Sequence, residues 1–179
     1  GNKHQQITRQ VNNGSDGNTV ETKYWYPADF EPTTDNSNIQ TLLDKNIIAT
    51  PIKIETFKSN TITGGQVQRL NQYGKPSEIY QYEFAGNPVH QNTQIVPDGY
   101  VKKSEIEYDA ATKAVIKIQQ TDNTSSTFLW GYNNLYPVAK IDNSLPEHSA
   151  ATSFESSGKG NWTYTGPVYN DIISKTGGY

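Results

Sequence analysis

Apolar and polar residues alternate with a period of two over most of this chain, the signature of half-buried strands rather than of helices. Thr19 to Tyr26 sets Val20, Thr22, Tyr24 and Tyr26 against Thr19, Glu21, Lys23 and Trp25. Ile7 to Gln10 is expected to pair with it across the Asn/Gly-rich stretch 12–18. Pro51 to Phe57 and Gln66 to Tyr73 read as a second hairpin, closed by residues 60–65. Further strands are expected at Glu78 to Phe84, Val101 to Tyr108, Ala114 to Gln120, Thr127 to Gly131 and Tyr136 to Ile141. Each is rich in β-branched or aromatic residues and bounded by Gly, Pro, Asn or Asp.

Only Ile39 to Ile47 carries helical spacing, with Leu42, Leu43 and Ile47 on one stripe. Asn36, Ser37 and Asn38 are its candidate N-caps. Residues 85–97 read as a long loop. Together these segments predict an all-β fold, an antiparallel twisted meander of about 8 to 10 strands with one short helix.

A repeated unit runs through the pattern. Tyr73-Gly74-Lys75-Pro76, Tyr108-Asp109-Ala110-Ala111 and Tyr132-Asn133-Asn134 each follow a strand, turn, and restart on an aliphatic residue. The tyrosines lie 35 and 24 residues apart, a spacing that points to repeat architecture. The turn positions Tyr73, Gly74, Tyr108, Asp109, Gly131 and Tyr132 are assigned a structural role.

Composition bounds the function. Hydrophobic residues make up 33% of the 179, below the usual ~45–50%, and the deficit is filled by uncharged polar residues. A thin core covered by amphipathic tyrosines follows, because 12 Tyr and a net charge of −3 do not suit a disordered chain. An acidic balance without a basic run argues against nucleic acid as a partner. No apolar stretch reaches membrane-spanning length. Zero cysteines remove disulfides and thiolate metal sites. The absence of methionine and the leading Gly1 suggest a piece excised from a longer protein, with any signal peptide removed.

Candidate chemistry is sparse. His4, His90 and His148 lie far apart and read as ordinary exposed histidines, since catalytic or metal histidines need partners. Gly158-Lys159-Gly160 and Ser156-Ser157-Gly158 lack the full phosphate-loop and nucleophile-elbow patterns. Glu105, Glu107 and Asp109 share one side of a strand, a spacing compatible with glycoside hydrolysis that any solvated strand also satisfies. The aromatics carry more weight. Tyr80, Tyr82 and Phe84 fall on one side of one strand, and Phe128 and Trp130 on one side of another. Either these rows fill a thin core or they form a platform for sugar rings. The scarcity of aliphatic residues favours core, and the Glu21/Lys23/Trp25 side is the better candidate for an open one. The platform reading takes Trp25, Tyr80, Tyr82, Trp130 and Trp162. No cofactor and no metal are expected.

From Tyr108-Asp109 through Ile118, and again from Ser125 to Tyr132, the chain resembles the YD (RHS) repeats of large bacterial surface and toxin-associated proteins. Gly74 and Asn133 stand where the repeat carries Asp. The segment from Phe128 to Ile141 resembles the terminal repeat of the surface members, and the likeness extends over about residues 5 to 142. It implies a β-sheet of strand-turn units that scaffolds, encapsulates or displays other domains of the same parent protein, secreted or at the bacterial cell surface. The paired Asp-Pro-x-Gly motifs of the self-cleaving members are missing. Ser153-Phe154-Glu155 through Gly160-Asn161-Trp162 resembles the opening of jelly-roll carbohydrate-binding-like modules, in which the residue matching Glu155 can help hold calcium.

The expected organisation is therefore a repeat domain over 1–142, a linker over 143–152 and the start of a second β module over 153–179. The expected function is non-catalytic scaffolding. Extracellular carbohydrate binding is the alternative, and a glycoside-active enzyme is a third reading. Open strand edges make edge-to-edge self-association a further expectation.

Overall fold

The computed structural model describes residues 4–15, 17–33, 38–83, 93–151, 161–163 and 165. It is mostly β. Among the described residues nine strands lie in one sheet in chain order. They are β1 Arg9–Asn13, β2 Thr19–Trp25, β3 Lys53–Lys58, β4 Thr61–Leu70, β5 Pro76–Tyr82, β6 Tyr100–Tyr108, β7 Val115–Gln120, β8 Ser125–Gly131 and β9 Tyr136–Asp142. Among the described residues the one α-helix is α1, Asn38–Asp44. Contacts divide the chain into two compact units, residues 1–105 and 106–179.

In the first unit, paired residues place Trp25, Lys53, Val67 and Tyr80 in one row across β2 to β5, so they share a side of the sheet. That side is the covered one. Phe30, Ile39, Leu42, Ile52, Val67, Leu70, Ile95 and Tyr100 form the buried cluster, with Trp25, Leu43, Ile47, Tyr80 and Tyr82 packed against it. Its cover comes from α1, the 3-10 turn Pro27–Asp29 and the segment around Ile95.

Local chemistry explains the boundaries. The helix ends earlier than its apolar stripe because Asn46 turns left-handed at φ 57°. The Ile47 N–H then bonds the Leu42 carbonyl at 2.8 Å and the Asn46 N–H the Leu43 carbonyl at 2.9 Å, which closes the last turn. Asn38 is the first helical residue, and its amide donates to the Leu70 carbonyl instead of capping. Asn36 and Ser37 lie outside the described residues.

The second hairpin differs from expectation. Ser59 and Asn60, at φ 49° and 66°, make a two-residue turn, so β4 begins at Thr61 and runs through Gly64-Gly65. A register shift between Thr56 and Phe57 absorbs Thr63 as a bulge. At the N-terminus, β1 begins at Arg9, two residues later than expected. The residues before it fold back instead, with the Tyr26 hydroxyl donating to the Ile7 carbonyl at 2.8 Å.

The three tyrosine turns are three different structures. Between β4 and β5, Asn71 Oδ1 accepts from the Tyr73 and Lys75 N–H groups, and Gly74 is left-handed at φ 74°. After β6, Asp109 Oδ1 accepts from Ala111 N–H, Thr112 N–H and the Thr112 hydroxyl. After β8, Tyr132, Asn133 and Asn134 are left-handed in succession. Only Tyr108 ends a strand; Tyr73 and Tyr132 sit in the turns themselves and are exposed.

In the second unit, Ser125, Thr127 and Leu129 are buried on one side of β8. The Ser125 and Thr127 hydroxyls both donate to the Ser144 carbonyl, at 2.9 and 2.7 Å. The stretch expected to be a linker thus contains a 3-10 turn, Pro146–His148, whose leading residues are tied to the sheet. Phe84, the loop residues 84–92 and most of 153–179 lie outside the described residues.

A Cβ at position 74 would meet Ile47 Cγ2 at 2.6 Å in a backbone conformation that already disfavours side chains. Gly74→Ala should lower stability by about 1–3 kcal/mol, read as a drop in the urea midpoint at unchanged slope. An unchanged midpoint would show that the β4–β5 turn does not hold α1 in place.

Candidate functional site

The densest polar chemistry among the described residues lies under the cover of the first unit. Lys53 and Glu55, two residues apart on β3, point to the same covered side, and their side chains are 0% and 2% exposed. The Lys53 ammonium stands 3.4 Å from Glu55 Oε1 without hydrogen-bond geometry, and 4.1 Å from the centre of the Trp25 ring. Tyr100, at the start of β6, donates its hydroxyl to the same Glu55 oxygen at 2.8 Å. Tyr82 packs on Tyr100 with ring centres 5.7 Å apart.

Two glycines make the reach possible. A Cβ on Gly65 would lie 2.2 Å from the Tyr100 hydroxyl, so only glycine leaves room for Tyr100 to meet Glu55. Gly64 beside it meets nothing within 4 Å and has no such role.

Burial pushes the Lys53 ammonium below the usual lysine range, and the Glu55 carboxylate only partly offsets it. Burial pushes the Tyr100 phenol up, reinforced by the charge of Glu55. A depressed lysine and an elevated tyrosine around one carboxylate can look like acid–base machinery. Here the ammonium is fully buried and faces an aromatic ring, and the carboxylate oxygen is already bonded. This geometry suits holding strands, because an ion pair taken out of water is stabilised only by close partners.

Other titratable groups pair near the surface. Lys102 bonds Glu78 at 2.7 Å and Glu105 at 3.2 Å. Burial alone would raise Glu78, but hydrogen bonds from Lys102 and Tyr80 outweigh it and hold the carboxyl low. In the second unit Glu107 pairs with Lys117 at 2.5 Å. His4 departs from expectation: it is buried, with Nε2 3.0 Å from Asp29 Oδ2 and its ring edge-on to Tyr26 at 4.7 Å. The N-terminal tail folds onto the Pro27–Asp29 turn, where Asp29 offers a partner that spacing in the sequence does not reveal. His148 is exposed, and His90 lies outside the described residues.

Of the aromatic residues picked from the sequence, Trp25, Tyr80 and Tyr82 come together against the core of the first unit. On the Glu21/Lys23/Trp25 side of β2, Trp25 is packed against that core with Lys53 over its indole, while the Lys23 side chain stays 39% exposed. Trp130, in the second unit, is half-buried and donates its indole N–H to the Val115 carbonyl at 2.7 Å. Trp162 is 55% exposed. Sequence reasoning passed over Lys53, Glu55, Gly65 and Tyr100; the Gly-Gly pair inside a strand was the available signal. It also passed over Leu135, Tyr136 and Val138, which are exposed at the β8–β9 turn beside Tyr132, a residue it assigned a structural role.

No family model, no curated protein and no solved structure matches this chain.

Lys53→Met should cost about 3–5 kcal/mol, because it strands the Glu55 carboxylate, while Lys53→Met combined with Glu55→Gln should recover most of that loss. Equal losses in the single and double variants would show the two groups to be uncoupled. The pH dependence follows from the same groups. A lysine depressed in the fold binds protons more readily when unfolded, so stability rises with pH until the unfolded lysine titrates near 10.5. Tyr100 acts oppositely, since its elevated folded value removes stability as pH climbs past 10. Urea titrations from neutral to alkaline pH should therefore show a maximum near pH 10, absent in the Lys53→Met, Tyr100→Phe double variant.

Proposed function

We infer that this chain is a non-catalytic scaffolding segment of a secreted or cell-surface bacterial protein, a β-meander that holds or displays other modules of its parent. The observation that carries this reading is the sealed Lys53–Glu55–Tyr100 cluster. Its strongest charges are spent on joining strands β2, β3 and β6, and they are withdrawn from solvent. The acids that a hydrolase would use are paired too, though at the surface, with Glu105 on Lys102 and Glu107 on Lys117. The resemblance to YD repeats supports the cellular setting.

Extracellular carbohydrate binding is the second reading. It is favoured by Tyr132 and Tyr136, exposed together with ring centres 6.2 Å apart at the β8–β9 turn. Edge-to-edge association draws less support. Among the described residues β1 and β9 are the outer strands, and β9 carries Pro137, Lys140 and a register shift, all of which blunt an edge.

The test uses the full-length parent. Deleting residues 9–142 should abolish surface presentation of the flanking modules, measured by antibody labelling of intact cells. Glu105→Gln and Glu107→Gln should leave both presentation and every assayed activity of the parent unchanged. Normal presentation after the deletion, or loss of a hydrolytic activity in either glutamine variant, would overturn the scaffold reading.

A further inference from the structure

The second unit contains a hollow of about 240 Å³ whose lining residues come from both turns at one end of its strands. Asp109 and Thr112 belong to the turn after β6, Asn134 to the turn after β8, and Phe128 and Trp130 to β8 itself. Asn161 completes the wall from a distant part of the chain. The hollow has room for about eight waters, below the ~300 Å³ at which drug-sized ligands begin to fit. One ring fits.

The hydrogen-bonding inventory of the walls is unequal. Asp109 accepts three bonds, all at Oδ1, so among the described residues Oδ2 accepts none. Those bonds, led by the ones from Thr112, hold its carboxyl below the usual range and keep it an acceptor at neutral pH. The Asn134 side chain makes no hydrogen bond among the described residues. Asn161 commits Nδ2 to the Ser149 carbonyl at 2.9 Å, and among the described residues its carbonyl oxygen accepts no bond. Among the described residues, three oxygens and one amide without partners thus surround a space also bounded by two aromatic residues. The Trp130 indole is fixed by its bond to Val115, so little ordering is needed for a ligand to meet it.

Asn134 holds its place at a cost. It lies at φ 62°, the last of three left-handed residues in succession, and Asn161 is left-handed at φ 68°. Backbone in this region persists where surroundings over-determine it, and such residues gather at ligand sites.

We propose that this hollow is a binding site for a single neutral pyranose ring, with Asp109, Asn134 and Asn161 taking its hydroxyls and Phe128 and Trp130 bounding its apolar C–H face. The unmet groups are mainly acceptors, so the ligand must be rich in O–H donors. One carboxylate among neutral amides and aromatics suits a polyol better than a metal cation, which would need more oxygen ligands of higher charge. The proposal does not depend on the scaffold reading, since a weak sugar site can sit on a structural sheet.

The experiment is titration of the ¹⁵N-labelled chain with methyl glycosides of glucose, galactose, mannose and N-acetylglucosamine, read by amide correlation spectra. At least one should shift the Thr112 and Asn134 amides and the Trp130 indole signal together, with a dissociation constant of about 1 mM, a few contacts' worth. Asn134→Gly removes the side-chain amide while relieving the left-handed backbone, and Asp109→Asn keeps the turn acceptor while losing the charge. Each should weaken binding about five-fold or more, with the remaining spectrum unchanged. No shifts from any glycoside, shifts remote from these three signals, undiminished binding in Asn134→Gly, or a response to tetramethylammonium alone would each overturn the proposal.

Discussion

Burying a lysine costs several kcal/mol unless its charge meets compensating partners, and the first unit of this protein is arranged around that requirement. Lys53 finds a carboxylate on its own strand and a tryptophan face on the next. Glu55 in turn draws the Tyr100 hydroxyl from β6 across the intervening strands, and that reach forces a glycine at position 65. Four strands are therefore registered against one another by a few polar atoms. The apolar cover of Ile39, Leu42 and Phe30 then excludes the water that would otherwise weaken the charge interactions. In a chain with so few aliphatic residues, a charge-paired polar cluster supplies specificity that packing alone would not. A one-residue slip of β3 would turn Lys53 and Glu55 to the opposite side and leave the buried Tyr100 hydroxyl without its acceptor.

The strands were largely legible in the sequence because alternation is a direct physical consequence of a sheet with one covered side. What was less legible follows from particular residues. Ser59-Asn60 turns without glycine, so the hairpin was placed later than it is, and Gly64-Gly65 looked like the turn. That pair sits in mid-strand because one of the two makes room for a side chain arriving from β6. Lys53 and Glu55 carry a polar signal that sequence patterning assigns to solvent, and only the fold shows them turned inward. His4 was unreadable for a related reason: its partner Asp29 is distant in sequence and meets it through a folded-back tail. The repeat was legible as spacing but not as structure, since Asn71, Asp109 and the left-handed run at 132–134 solve three turns by three different means.

The aromatic residues show the same division. Trp25, Tyr80 and Tyr82 are drawn to the covered side because a thin core needs their area, and Trp25 has the added task of facing an ammonium. The second unit has fewer buried residues and leaves more to its turns. Asp109 and Trp130, singled out for different reasons, line the same hollow there. A ligand site is thus better sought at the turn end of the second unit than on the covered side of the first.

The claim on which this account rests is that the Lys53 cluster is closed. Amine acylation of the native protein, followed by peptide mass spectrometry, tests it most directly. A lysine with a depressed value is the most nucleophilic amine in the molecule wherever reagent can reach it. The account predicts that Lys53 stays unmodified while exposed lysines such as Lys58 and Lys75 react fully, and that it is labelled only after unfolding. Labelling of Lys53 in the folded protein ahead of those surface lysines would contradict it, and would mark the cluster as a reactive site.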